Sequence, residues 1–311
     1  MPAPFILCLM GPTACGKTAL AVELVQRFPC EIISVDSAMV YRGLDLGTAK
    51  PTPDILRLAP HRLIDIRDPA EIYSAGDFQA DALREIKDIH AQGKIPLLVG
   101  GTMLYFHVLQ YGLDTLPEQD PMIREQIQEE AEQDGWLALH EKLQSLDPDA
   151  AARIHPNDAQ RIQRALEVYT LTGKPLTAQQ MQGKTRAPLP FALRQLILCP
   201  QDRTRLHERI EQRFLTMLEQ GFMEEVRHLY ERPDLSLEKP ALRSVGYRQA
   251  WEYFEGKFSF EEMKEKTVIA TRQLAKRQIT WLRRWQEATW LDSEEPGVQK
   301  HVENYLKQMI T

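Results

Sequence analysis

The pattern of apolar and polar positions in the first hundred residues alternates between two periods. Phe5 to Met10 (FILCLM) is an unbroken apolar run, as expected of a strand buried on both faces. The stretch KTALAVELVQRF, from Lys17, then spaces Leu20, Leu24 and Phe28 at helical intervals. Glu31–Val35 (EIISV) predicts a second strand and His61–Ile66 (HRLIDI) a weaker third. Ile95–Val99 (IPLLV) predicts a fourth, closed by Gly100 and Gly101. Ser74 is placed to cap a helix from about Ala75 to Gln92, which Gly93 ends. Strands and helices alternating at these lengths predict an α/β fold, a parallel sheet with helices on both faces. Such sheets bind ligands beyond the carboxyl ends of their strands, so chemistry is expected in the loops after Met10, Val35 and Val99.

From about Leu113 to Pro190 the pattern becomes polar and helical, punctuated by LPEQDP, LDPDAAARIHPND and TRAPLP. This predicts a helical insertion subdomain over 113–190, with the core formed by 1–112 and 191–311. Leu193–Cys199 returns to strand character. Helices are then predicted over Asp202–Gln220, Phe222–Glu231 and Ser244–Glu255. A longer one starts at Ser259, whose capping box with Glu262 opens a run to about Trp285. ATWLD predicts a last edge strand, and the final twenty or so residues carry no motif.

Composition narrows the class without changing this picture. The 311 residues are 43% hydrophobic and 26% charged, the balance of a globular domain. No apolar run approaches the roughly 18 residues of a membrane span, and the start lacks the basic, small-residue pattern of a secretory signal. The four cysteines (8, 15, 30 and 199) show no paired spacing, which argues against disulfides and against a zinc site. A cytoplasmic protein is expected. With a net charge of −6, any nucleic-acid surface must be a local patch.

The first candidate chemistry is GPTACGKT, comprising Gly11, Pro12, Thr13, Ala14, Cys15, Gly16, Lys17 and Thr18. This is the phosphate-cradling loop pattern. Its glycines let backbone amides surround phosphate oxygens, the following helix aims its dipole at the same charge, Lys17 adds a cation and Thr18 can ligate magnesium. The pattern does not say which phosphate ester is held. Nucleotide hydrolases with this loop usually carry a second strand ending in a magnesium-binding Asp. Here IPLLV ends in GGT, and only IISVDS ends in an acid, Asp36. Asp36 is therefore either a magnesium ligand or a general base facing a second substrate. Thr102 can donate to a leaving oxygen, or cap the helix that follows it.

The second candidate is basic. RQLAKRQITWLRRW, from Arg272 to Trp285, contains no acidic residue, and on a helix Gln273, Arg277, Thr280 and Arg284 share a face beside Trp281. Cations interleaved with aromatics suit phosphate contacts and base stacking, although a charge run can equally be a solvated face. Two further clusters carry Arg153, His155, Arg161 and Arg164, and Arg243, Tyr247 and Arg248.

Taken together, LMGPTACGKTALA, IISVDSAMVYRGLDLGTAKP, PHRLIDIRDP, PLLVGGTMLY, ARIHPNDAQRIQRALEV, RIEQRF, RSVGYRQAW and TRQLAKRQITWLR resemble the bacterial tRNA dimethylallyltransferases, also called tRNA isopentenyltransferases. The resemblance runs in order over about residues 5–292. It implies a magnesium-assisted transfer of a dimethylallyl group from dimethylallyl diphosphate to N6 of adenosine 37 in tRNA, with Gly11–Thr18 holding the diphosphate rather than ATP. By the same resemblance Arg213 is a second diphosphate cation, its plain alternative being a helix-surface arginine. Asp36 accepts the N6 proton, Thr102 bonds the leaving oxygen, and Ser37, Ala38 and Met39 lie along the target nucleotide. The tRNA anticodon stem-loop would further contact Arg124; Gln160, Arg161, Ile162, Gln163 and Arg164; Arg243, Ser244, Val245, Gly246, Tyr247 and Arg248; and Lys276, Arg277, Gln278, Thr280, Trp281 and Arg283. The implied enzyme acts as a monomer. The main alternatives are a small-molecule kinase built on the same loop and an enzyme that prenylates free adenine nucleotides.

Overall fold

The computed structural model describes residues 4–113, 116–182 and 189–310; the TRAPLP segment lies largely outside them. Six strands form one parallel sheet: β1 Phe5–Met10, β2 Cys30–Val35, β3 His61–Arg62, β4 Ile95–Gly100, β5 Ala192–Leu198 and β6 Thr289–Leu291. Their order is β3-β2-β4-β1-β5-β6, which puts β1 between β4 and β5 in the interior of the sheet. The chain also forms α1 Lys17–Arg27, α2 Pro53–Leu58, α3 Ala75–Ala91, α4 Met103–Tyr111, α5 Pro121–Leu146, α6 Pro148–Ala151, α7 Ala159–Thr172 and α8 Leu176–Gln182. After β5 come α9 Arg203–Glu219, α10 Phe222–Tyr230, α11 Tyr247–Phe254, α12 Phe260–Leu282 and α13 Val298–Ile310.

The unbroken apolar strands are explained by two buried faces. Alternate residues of a strand point to opposite sides. Ile6, Cys8, Met10, Ile33, Val35 and Leu98 join a core with Phe78 of α3, Phe106 of α4, Phe222 of α10 and Trp251 of α11. Their neighbours Leu7, Leu9, Ile32, Leu97 and Val99 join a second core with Leu20 and Leu24 of α1 and Val302 and Leu306 of α13. Burial pushes the thiols of Cys8 and Cys30 up to about 12, so both are protonated core residues rather than nucleophiles.

Two expectations about the elements are corrected here. The third strand is two residues, not six, because Leu63 and Asp65 take left-handed φ of 61° and 57° and turn the chain out of the sheet. Ile66 and Arg67 then donate to Val40 O, each at 2.9 Å. The helix expected from Ser244 starts at Tyr247, because Gly246 has a φ of 94° and a short 3-10 turn, Pro240–Arg243, precedes it. Finally, the C-terminal stretch without a motif forms α13, whose Glu303 pairs with Arg27 of α1 and whose Gln299 Nε2 donates to Glu23 at 2.9 Å.

Two compact units result: 1–110 with 189–311, and 111–188. The second has its own core of Ile127, Leu139, Leu143, Ile162 and Leu166, and α5 breaks at Gly135, with a φ of 84°. Glu167 is fully buried there, accepting from Arg164 at 2.8 Å and from Asp120 N at 2.8 Å. Ile162, expected to touch RNA, is 0% exposed and belongs to this core. Its position four residues before Leu166 puts both on the apolar stripe of α7.

Candidate active site

The loops after β1, β2 and β4 meet around a cavity of about 580 Å³. Thr13 through Thr18 line one wall, and Asp36, Met39, Gly100 and Gly101 line another. The close approach has a steric origin. A Cβ on Gly100 would overlap the carbonyl oxygen of Val35, and one on Gly11 would overlap that of Leu198. Gly11 is thus required where β1 meets β5, whereas Gly16 supplies the turn, with a φ of 93° that directs Lys17 into α1. Lys17 Nζ folds back over the loop and donates to Pro12 O at 2.6 Å. Cys15 is 1% exposed, packs in the second core, and holds its sulfur 3.6 Å from Lys17 Nζ.

Asp36 follows the last residue of β2. Its Oδ1 accepts from Ala38 N at 2.9 Å and Met39 N at 3.3 Å, which fixes the carboxylate, while Oδ2 has no partner among the described residues. Thr102 and Ser37 lie together: Ser37 N donates to Thr102 Oγ1 at 3.0 Å, and Thr102 Oγ1 donates to Ser37 Oγ at 3.4 Å. The Thr102 hydroxyl therefore ties two strand-end loops rather than capping α4, and neither it nor Ser37 lines the cavity.

The remaining wall comes from α9. Arg209, Gln212, Arg213 and Thr216 recur at helical spacing and line the cavity, beside a buried stripe of Leu206, Ile210, Phe214 and Met217. Arg213 Nη2 donates to Thr13 Oγ1 at 2.9 Å. Burial lowers the pKa of Arg213, opposed by the nearby Asp36 carboxylate. Neither Arg213 nor Lys17 has an ion-pair partner among the described residues, whereas Arg209 pairs with Glu294. A desolvated guanidinium and a loop ammonium, neither held in an ion pair among the described residues, make a site for an anion. Arg213 is a cavity residue, and the helix-surface alternative is set aside.

Residues that sequence reading missed also line the cavity. His61 Nδ1 donates to Ala59 O at 2.7 Å, and burial lowers its pKa, leaving a neutral ring in the wall. Thr48, Ala49 and Pro51 belong to a loop held from outside, where Glu225 of α10 accepts from the backbone N of Asp45 (3.1 Å), Leu46 (2.7 Å) and Gly47 (3.2 Å). The α9 polar stripe was visible in the sequence period. The histidine and the distant clamp carry no local signal.

The basic stretch of α12 divides by face. Lys276, Arg277, Thr280, Arg283 and Arg284 are exposed, and Lys276, Arg277 and Arg283 have no ion-pair partner among the described residues. Trp281 packs edge-on to His107 at 5.9 Å, with the Arg284 guanidinium 4.6 Å above its ring. Gln278 turns inward to the cavity wall. In RSVGYR, Arg243 and Arg248 are exposed but internally bonded, to Leu237 O and Glu252 respectively. Ser244 and Val245 are half-buried. Tyr247 is 0% exposed, donates its hydroxyl to Glu225 and packs edge-on to Phe222. Tyr247, expected to contact RNA, here braces the clamp from the core, and Gly246 beside it is buried as well. In the second unit, Gln160 and Arg161 are exposed, the latter 3.5 Å from Asp158. Arg124 and Gln163 bond each other through Arg124 Nη2 and Gln163 Oε1 at 3.1 Å.

Comparison with known proteins follows the same lines. The family model described as "IPP transferase" matches residues 39–285. A protein of Coxiella burnetii (strain Dugway 5J108-111) named tRNA dimethylallyltransferase is 58% identical over 304 residues, covering 98% of this chain and 97% of that protein. One of the same name from Thioalkalivibrio sulfidiphilus is 59% identical, covering 95% and 93%. Among solved structures, a tRNA isopentenylpyrophosphate transferase from Bacillus halodurans superposes with a TM-score of 0.72 at 35% identity, covering 99% of this chain and 96% of that one. A eukaryotic dimethylallyltransferase described as acting on tRNA superposes with a TM-score of 0.74 at 28% identity, covering 93% and 74%. On its sequence, its parallel sheet and the loops gathered at one end of that sheet, the chain belongs to the IPP transferase family.

Proposed function

We propose that this protein is a cytoplasmic, monomeric tRNA dimethylallyltransferase that moves the five-carbon group of dimethylallyl diphosphate to N6 of adenosine 37. The observation that carries the reading is one cavity walled by both a phosphate loop and an unpaired strand-end carboxylate. Gly11–Thr18 and Arg213 hold the diphosphate, and Lys17 and Arg213 oppose its growing charge as it departs. The N6 lone pair forms a bond to the allylic carbon, the carbon–oxygen bond breaks with its electrons leaving on diphosphate, and Asp36 takes one N6 proton. Asp36 Oδ1 is committed to backbone amides, so Oδ2 is the oxygen open to the amine. The amine is delocalised into its ring and stacked in the anticodon loop, so the base is extruded to reach the site. Ser37 and Thr102, bonded to each other, and Ala38 and Met39 border its path.

Magnesium fits the donors present. Among the described residues no group of three or more His, Cys, Asp or Glu could cage a metal. Thr18 offers a hydroxyl in the cavity wall, which suits a cation that keeps most of its ligands as water and substrate oxygen. There the ion would neutralise diphosphate charge. The unpaired cations of α12 supply an RNA backbone surface. The test is incubation with radiolabelled dimethylallyl diphosphate and, in parallel, unmodified tRNA or AMP. Label in tRNA alone supports the proposal. Label in AMP alone, or phosphate transfer from ATP to a small molecule, overturns it in favour of the two alternatives.

A further inference from the structure

Gln278 lies within the most basic stretch of the chain, yet its side chain turns away from that surface. Its amide is used at both ends. Oε1 accepts from Thr13 N at 2.9 Å, and Nε2 donates to Gly101 O at 2.9 Å. Thr13 belongs to the phosphate loop after β1. Gly101 belongs to the loop after β4 and immediately precedes Thr102. Strands β1 and β4 are paired neighbours, with Met10 opposite Gly100, so the two loops leave the sheet side by side and one amide spans them. The approach is close: a Cβ on Gly101 would lie 2.5 Å from Gln278 Nε2, so only glycine admits the amide without displacement. A second contact fastens the same loop, because Ala14 packs against Leu206, Ile210 and Ala275, beside Ile279.

Both partners of Gln278 are backbone atoms. One needs an acceptor and the other a donor, on a single flat group. Glutamine meets that demand, glutamate loses the donor, and methionine fills the volume with neither. Exposed neighbours at Lys276, Arg277 and Thr280 leave phosphate contacts to other side chains of α12.

We infer that Gln278 is a positioning residue for the transfer reaction, a brace that sets the spacing between the phosphate loop and the loop carrying Thr102, rather than a contact to RNA. The part concerning transfer rests on the function proposed above; the part concerning the phosphate loop does not. Without the brace, Thr13 N and Gly101 O lose their partners and the two loops relax independently. A misplacement of about 1 Å in a positioned site can cost on the order of a hundredfold in rate.

The test uses the full chain and Gln278→Met. Four quantities are read: affinity for inorganic diphosphate by calorimetry without RNA, single-turnover prenylation at saturating substrates, tRNA affinity, and thermal midpoint. Expected are about tenfold weaker diphosphate binding and a rate lower by roughly ten- to a hundredfold, with tRNA affinity unchanged. Diphosphate affinity and rate both within twofold of the parent chain would overturn the inference, as would a loss confined to tRNA affinity. If Gln278→Met does not fold, Gly101→Ala strains the brace from the opposite loop. Because the displaced amide also holds Thr13, this change should lower the rate and weaken diphosphate binding, and both unaltered would overturn the inference. The calorimetric measurement needs no prenyl transfer. A parent chain that binds diphosphate but prenylates nothing would refute the proposed function while Gln278→Met still tests the brace on the phosphate loop.

Discussion

Replacing Asp36 by Asn separates the chemistry of the carboxylate from its structural work. Oδ1 accepts from Ala38 N at 2.9 Å and Met39 N at 3.3 Å, and an Asn oxygen can keep both bonds. Stability should therefore change by less than about 1 kcal/mol, whereas Asp36→Ala abandons both amides at a cost of about 1–3 kcal/mol. What Asn changes is the other atom: an NH2 donor replaces the acceptor that would take the N6 proton, so donor faces donor. A lost general base costs roughly a hundred- to ten-thousandfold, or about 3–5 kcal/mol of transition-state stabilisation. Electrostatics adds a sign. Asp36 supports the charge on the desolvated Arg213 guanidinium, and it also opposes an incoming anion. Removing its charge leaves the cavity more positive, so diphosphate should bind equally well or somewhat tighter. If Asp36 were instead a metal ligand, diphosphate binding in the presence of magnesium should weaken. Single-turnover prenylation and calorimetric diphosphate affinity on one purified variant decide the matter. A near-normal single-turnover rate in Asp36→Asn would refute the base assignment.

Further expectations concern the surface, the core and pH. The triple change of Lys276, Arg277 and Arg283 to Ala should lower the log–log salt slope of tRNA binding by about two to three units and leave diphosphate affinity alone; an unaltered slope would mark these cations as merely solvated. Tyr247→Phe removes a buried bond to the Glu225 carboxylate and should cost about 1.5–3 kcal/mol in urea unfolding, with unchanged tRNA affinity. Weaker tRNA binding at full stability would return Tyr247 to the interface. Burial lowers the His61 pKa from 6.5, so below that value the unfolded chain binds more protons than the folded one. The stability contributed is full above about pH 6.5 and is lost as pH falls through the lowered value. His61→Gln should flatten the stability–pH curve below about pH 6.5, and an identical curve would show that another group governs it.

The legible parts of the sequence were those where one segment states its own environment. FILCLM announces a doubly buried strand because both of its faces meet apolar helices, and GPTACGKT announces a phosphate loop because glycine geometry is local. The burial of Ile162 and Tyr247 was hidden for the opposite reason: motif blocks carry core residues along with surface ones, and only the fold separates them. HRLIDI reads as a strand until Leu63 and Asp65 turn left-handed, a choice imposed by the pairing of residues 65–67 with 39–41. Gln278 looked like its basic neighbours, because nothing within the helix reveals that Thr13 and Gly101, 265 and 177 positions away, require its amide.

The position of β1 has a consequence for the order in which the protein is made. The strand that launches the phosphate loop is made before both of its partners, residues 95–100 on one side and 192–198 on the other. The apolar face of α1, Leu20 and Leu24, shares a core with Val302 and Leu306, which are made about 280 residues later. A nascent chain therefore carries an uncovered anion loop and a bare apolar helix until these later residues have been added. Contacts this distant in sequence slow folding and lengthen exposure to aggregation. Occupancy of the loop by diphosphate should accordingly appear late and abruptly along the nascent chain.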